Sequence, residues 1–144
     1  MSSPVRSTRK SLPIALLRAR ETVMAPIREM LAASPVNEQK WRVLRVLVES
    51  GPLEQKAIAA EACLLLPSLT RILQTMEADG LVSRESDLED RRRSIVSVTA
   101  AGRAVIENHA DQSNAILARL EDQFGKERLD DLLRLLDDLQ HIDL

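Results

Sequence analysis

Residues 67–80 carry a proline at one end, a glycine at the other and a helical apolar stripe between them, and this stretch constrains the fold more than any other. Pro67 stands just inside the start of the segment, where a missing N–H costs nothing and the ring pre-sets φ. Leu69, Ile72, Leu73 and Met76 recur at helical spacing, and Gly80 occupies the place of a left-handed C-cap. The opposite face reads Ser68, Thr70, Arg71, Gln74 and Thr75. It is short, polar and singly charged, where a solvated helix face is ordinarily dense in Glu and Lys. A hairpin pattern follows directly. Residues 81–84 lead out, 86–90 turn, and 92–98 return with apolar and small polar residues alternating. The tip carries Glu89-Asp90-Arg91-Arg92-Arg93. A helix able to read base edges, followed by a basic two-stranded ribbon, is the pattern of a winged helix-turn-helix.

The rest of the chain has room for one further lobe. At 144 residues it is a single domain or two compact lobes. Trp41 and Phe124 are the only aromatics in a chain that is 44% hydrophobic, so the core must be built from Leu, Ile, Val and Ala. That composition suits helix packing. A net charge of −2 argues against a histone-like binder held by bulk charge, while leaving room for a local basic patch. The distribution is uneven. Residues 1–20 hold Arg6, Arg9, Lys10, Arg18 and Arg20 with no acid, and residues 121–144 hold eight acids against three bases. One cysteine excludes an intramolecular disulfide and fits a reducing cytoplasm. No apolar run has membrane-spanning length and no apolar leader is present, so a cytoplasmic protein without a membrane partner is expected.

In chain order, residues 1–11 read as a mobile basic tail. Residues 12–33 form a first helix striped with Ile14, Leu17, Met24, Ile27 and Leu31, which Pro26 kinks or divides. Asn37 caps a second helix that buries Trp41, Leu44, Val46, Leu47 and Val48 and stops at Gly51-Pro52. Residues 55–62 make the first helix of the reading motif, with small residues that allow close approach, and 63–66 make its turn. Thr99 caps a long helix carrying Val105, Ile106, Ile116, Leu117 and Leu120, and a last helix follows Gly125. The last helix holds Leu129, Leu132, Leu133, Leu135, Leu136, Leu139 and Ile142, which cover more than one face. A terminal helix of a monomer needs a single stripe of roughly 100°. The excess points to burial by a partner chain, hence a homodimer.

Several steps resemble the MarR family of bacterial transcriptional regulators. They are Gly80-Leu81-Val82 after the reading helix, Asp90-Arg91-Arg92 in the wing, and Val98-Thr99-Ala100-Ala101-Gly102 at its exit. Upstream, residues 14–21, 39–42 and 63–70 look like the branch that represses homoprotocatechuate degradation. The resemblance spans roughly residues 12–139. It implies a mainly α-helical fold with a small β wing. A winged helix-turn-helix DNA-binding domain at 35–99 would be joined to a helical dimerisation lobe made from 12–34 and 100–144. It also implies a short strand at Leu53 beside the wing.

The expected partner is a double-stranded operator. Ser68, Thr70 and Arg71, preceded by Pro67, are the first base-reading candidates, because short hydroxyls and an Arg at a helix N-terminus reach phosphates and base edges. Gln74 and Thr75 lie further along the same face. The resemblance implies that Asp90 orients Arg92 into the minor groove, where narrow A·T-rich segments concentrate negative potential. Arg91 and Arg93 would then sit near phosphates. Arg84 either assists from the outgoing strand or pairs with Glu85 or Asp87. The resemblance further implies a small aromatic carboxylate as effector. It would be held in a cleft floored by Trp41 and guarded by Arg20 or Arg42, with Arg18 nearby; a stacked ring and a charge-assisted fork would hold it. Read without the resemblance, these are surface arginines paired with Glu21 or Glu38 around a core Trp.

Catalysis finds no foothold in the pattern. His109 and His141 lie on separate helices without a His or Cys at metal-ligand spacing, and no phosphate loop or nucleophile elbow is present, so neither an enzyme nor a cofactor is expected. Cys63, set among leucines in the turn, reads as a small buried hydrophobe ahead of an oxidant sensor. Two other readings remain open at this level: a winged-helix module that docks an acidic protein, and a DNA-binding regulator without a small ligand, responding through Cys63.

Overall fold

The structure, a computed structural model, describes residues 4–86, 89 and 93–144. Its elements run α1 (Leu12–Leu31), α2 (Glu38–Ser50), β1 (Leu53–Glu54), α3 (Gln55–Ala62), α4 (Leu66–Ala78), β2 (Val82–Ser86), β3 (Ser94–Val98), α5 (Ala100–Asn108), α6 (Ala110–Phe124) and α7 (Lys126–Gln140), with a single 3-10 turn at Thr8–Lys10 ahead of them. Two compact units result, residues 1–109 and 110–144.

Capping accounts for most of the boundaries. Ser11 Oγ accepts from Ile14 N at 3.5 Å at the head of α1, and Asn37 Oδ1 accepts from Lys40 N at 3.0 Å at the head of α2. α1 passes through Pro26 as one helix, so that proline does not divide it. α4 ends as its residues require: Gly80 takes φ +76° and Leu81 N donates to Met76 O at 2.9 Å, a Schellman closure. α3 closes in the same way on Cys63, whose φ of +56° is the left-handed conformation that glycine or asparagine ordinarily supplies.

The sheet has three antiparallel strands in the order β1-β3-β2. Leu53 stands opposite Val96, and Val82, Arg84 and Ser86 stand opposite Val98, Val96 and Ser94. Val82 and Val96 therefore face inward from neighbouring strands, and both are buried. They close one side of a core whose fully buried members are Val43, Leu44, Leu47, Ile58, Leu69, Leu73 and Met76. Each such side chain contributes about 1.5–3 kcal/mol of transfer free energy. The reading helix is thus held by its apolar face, and the wing is anchored to the same core.

Several boundaries differ from the sequence reading. The outgoing wing strand runs two residues further, to Ser86, and the returning one starts at Ser94. The long helix after Thr99 is two helices, broken at His109. The His109 imidazole turns back, with Nδ1 2.8 Å from the Val105 carbonyl oxygen, and its ring packs edge-on to Trp41 at 5.5 Å. The residue leaves helical geometry, at φ −105° and ψ 1°, with neither proline nor glycine at the break. In α2, Val43 is buried, whereas Val46 and Val48 are half-buried. Cys63 is exposed, because the left-handed turn points its side chain outward. In the second unit, Gly125 at φ +98° joins α6 to α7, Leu129 is buried, and the Arg128 guanidinium lies 4.3 Å from the centre of the Phe124 ring. Among the described residues no single helix is long and apolar enough to cross a membrane.

Candidate nucleic-acid interface

Burial of Leu69, Leu73 and Met76 fixes which side of α4 faces out. Pro67, Arg71, Gln74 and Thr75 are exposed, and Ser68 and Thr70 are half-buried. One lone cation, Arg71, sits on this surface among short polar groups. The Thr75 hydroxyl lies 3.3 Å from the Arg71 carbonyl oxygen, to which it donates.

Thr70 is more constrained. Its hydroxyl donates to the Leu66 carbonyl at 3.0 Å and accepts from Gln55 Nε2 at 2.5 Å. With its proton committed, this hydroxyl retains acceptor capacity alone. Gln55 was not among the sequence candidates. It heads α3, and only the crossing of α3 over α4 brings it to Thr70.

Two hollows flank the helix. One, of about 270 Å³, is lined by Gln39, Lys40, Ser68, Arg71, Ile72 and Thr75. Lys40 and Gln39 come from the first turn of α2, and no sequence signal links them to the reading helix. The second hollow, of about 530 Å³, lies between the heads of α3 and α4 and the base of β3. Leu66, Thr70, Lys56, Arg93 and Ser94 contribute to it. Arg93 is ion-paired with Glu54 at its edge.

Arg84 pairs with Glu77 and, among the described residues, not with Glu85; Asp87, the other expected partner, lies outside the described residues. Arg84 lies on the inward side of β2, opposite Val96, and its guanidinium reaches Glu77 of α4 at 3.2 Å. The charge is thereby spent on joining the wing to the reading helix. Asp90, Arg91 and Arg92, the wing-tip candidates, lie outside the described residues.

The effector candidates are placed as follows. Arg18 and Arg20 are exposed on α1, and Arg20 holds Glu38 at 2.8 Å. Glu38 also meets Arg28 at 3.4 Å, and Arg28 grips Glu21 through both guanidinium nitrogens at 2.7 and 3.1 Å. The Arg28 hydrogen bonds and charge hold the Glu21 carboxyl below its usual range, and Glu21 in turn raises Arg28. Trp41 is buried in the core against His109. Arg42 donates to the Ala62 and Cys63 carbonyls at 2.8 and 3.3 Å, satisfying the end of α3. Among the described residues no group of three or more His, Cys, Asp or Glu is arranged to hold a metal ion.

Comparison with known proteins adds an independent line. A family model described as MarR family matches residues 36–94, from the approach to α2 through the start of β3. The homoprotocatechuate degradative operon repressor of Escherichia coli is 39% identical over 128 residues, covering 89% of this chain and 86% of that protein. The crystal structure of NadR in complex with 4-hydroxyphenylacetate superposes with a TM-score of 0.84 at 35% identity, covering 98% of this chain and all of that one. The transcriptional repressor CouR, bound to a 23-mer DNA duplex, superposes at 0.83 with 25% identity, covering 96% of this chain and 100% of that one. An amphipathic reading helix, a three-stranded wing and relatives of this identity over nearly the whole chain lead to one conclusion: the protein belongs to the MarR family of transcriptional regulators.

Proposed function

We propose that the protein is a homodimeric repressor of an aromatic-catabolic operon, which binds a pseudo-palindromic operator and leaves it when an aromatic acid binds. One observation carries the DNA reading: the outward face of α4 presents Ser68, Arg71, Gln74 and Thr75 while its inner face is locked into the core. A helix so held can enter a major groove without rearranging, and two copies read successive grooves about 10 bp apart. Arg92, Arg91 and Arg93 of each wing follow the adjacent minor groove and its phosphates, with Asp90 steadying Arg92. The repressor of homoprotocatechuate degradation and DNA-bound CouR support this reading by kinship.

Dimerisation follows from apolar side chains left in water. Leu12, Leu16, Leu17 and Val23 of α1, and Leu132, Leu133 and Leu135 of α7, are each at least 39% exposed. A second copy covers them, so residues 12–34 and 100–144 act as the dimerisation lobe and 35–99 as the DNA-binding domain.

Arg20 is the carboxylate anchor of the effector reading. It already carries a carboxylate, that of Glu38, at 2.8 Å, and an aromatic acid competes for the same guanidinium. Arg18 is exposed two residues away on the same helix, whereas Trp41 stays buried against His109 and Arg42 stays on the α3 carbonyls unless ligand binding moves them. Binding of 4-hydroxyphenylacetate by NadR supports the ligand class. Release then requires only that the ligand favour the dimer whose reading helices are out of register with the grooves. The test is a gel-shift series on the protein's own upstream DNA, with and without hydroxyphenylacetates. Sequence-selective binding relieved by the acid supports the whole reading, and equal binding to unrelated DNA overturns it.

A further inference from the structure

The turn ahead of α4 reads Cys63-Leu64-Leu65-Leu66-Pro67, and four of these five, all but Leu64, are exposed. Residues 63–70 hold no charge, in a chain that is 29% charged. Single exposed leucines are ordinary on a protein surface, but an exposed run of apolar residues is not. Three of the four have a local reason. Cys63 closes α3, Pro67 sets the first turn of α4, and Leu66 lines the hollow beside Thr70 and Arg93.

Leu65 has none. It is the N-cap of α4, where Ser, Thr, Asp or Asn would bond to the free N–H groups, and its side chain forms no such bond. The side chain is 77% exposed. A capping group has been given up for an apolar one at the tip of the helix that faces DNA.

We infer that Leu65 packs on the C5-methyl of a thymine in the major groove and so sets sequence preference. The inference rests on the DNA-binding reading above and deepens it. N-terminal residues of a reading helix meet base edges. The thymine methyl is the apolar group displayed on the major-groove edge, and aliphatic side chains recognise it. Ser68 and Arg71, three and six residues further on, supply the polar contacts beside it. A leucine at this point has nothing to offer a phosphate, which separates its role from that of Arg71 and the wing arginines.

Deoxyuridine provides the probe, since it removes the methyl and leaves base pairing intact. The full chain is titrated against its footprinted operator and against versions with each thymine replaced singly. Wild type loses about three- to fivefold affinity at one thymine in each half-site, the effect of one buried methyl. Leu65→Ala binds the parent operator more weakly by a similar factor and is indifferent to deoxyuridine at that position; Leu65→Met retains the sensitivity. Specific binding in which no thymine couples to residue 65 overturns the inference and leaves the DNA-binding reading standing. A Leu65→Ala variant that changes oligomeric state with operator binding intact overturns it also, making the occupant a second copy. Failure to bind any operator selectively removes the underlying reading.

Discussion

Gly102, in the first turn of α5, presses its backbone against the carbonyl oxygen of Leu81 at the root of the wing, leaving no space for a β-carbon. A β-carbon there would also stand 2.8 Å from Val98 Cγ2 and 3.1 Å from Leu44 Cδ2. The same corner is tied by Thr99, which donates through its hydroxyl to Gly80 O at 2.6 Å, accepts from Gly102 N at 3.1 Å and donates through its own N–H to Leu81 O at 3.1 Å. Reading helix, wing and α5 meet at this point.

Alanine at Gly102 therefore has opposing effects. Helix propensity favours it by about 1 kcal/mol. Overpacking against backbone, which cannot rotate away, costs roughly 1–3 kcal/mol or more. We expect Gly102→Ala to lower the urea midpoint and Tm. A midpoint equal to or above wild type would show that the corner is looser than its geometry indicates.

In the interface, Arg71→Ala and Arg92→Ala are expected to act differently. Arg71→Ala costs about 1–3 kcal/mol and relaxes preference at one base pair, as the loss of a base contact does. Arg92→Ala weakens operator binding by roughly 1–3 kcal/mol and makes its salt dependence shallower by about one counterion. Fluorescence-anisotropy titrations over a range of salt concentrations separate the two. Unchanged affinity in both variants would remove α4 and the wing from the interface.

Effector response should run through Arg20. Saturating 4-hydroxyphenylacetate is expected to raise the Tm of wild type by differential binding to the folded state and to weaken operator binding. Arg20→Gln should lose both effects while still binding operator, and Cys63→Ser should keep both. If Arg20→Gln responds as wild type does, the carboxylate anchor lies elsewhere.

The Glu21–Arg28 pair makes a small, pH-dependent contribution to stability. Glu21 titrates below its ordinary value of 4.5 in the folded chain. Its contribution is thus fully present above about 4.5 and lost as pH falls through the lower, folded value. Both groups are exposed at the surface, so solvent and salt screen the effect. Urea melts from pH 7 to pH 3 should show wild type losing more stability than Glu21→Gln in the acid limb, with the difference shrinking at high salt. Parallel curves would mean that the pair contributes nothing.

The amino-acid sequence alone determined the elements whose rules are local. Pro67, the Leu69–Ile72–Leu73–Met76 stripe and Gly80 specify α4 and its end, and Asn37 and Thr99 specify the heads of α2 and α5. Capping, periodicity and positive φ act over a few residues, so they can be read without knowing the fold. Tertiary structure decided which polar groups remain free to act. Gln55 Nε2 took a lone pair of the Thr70 hydroxyl, Glu77 took Arg84, the α3 carbonyls took Arg42, and α2 brought Lys40 beside Arg71. At His109, whose ring meets Trp41 from a distant part of the chain, the helix that periodicity alone extends is interrupted. Each of these depends on residues distant in sequence meeting across the core, which chain spacing does not encode.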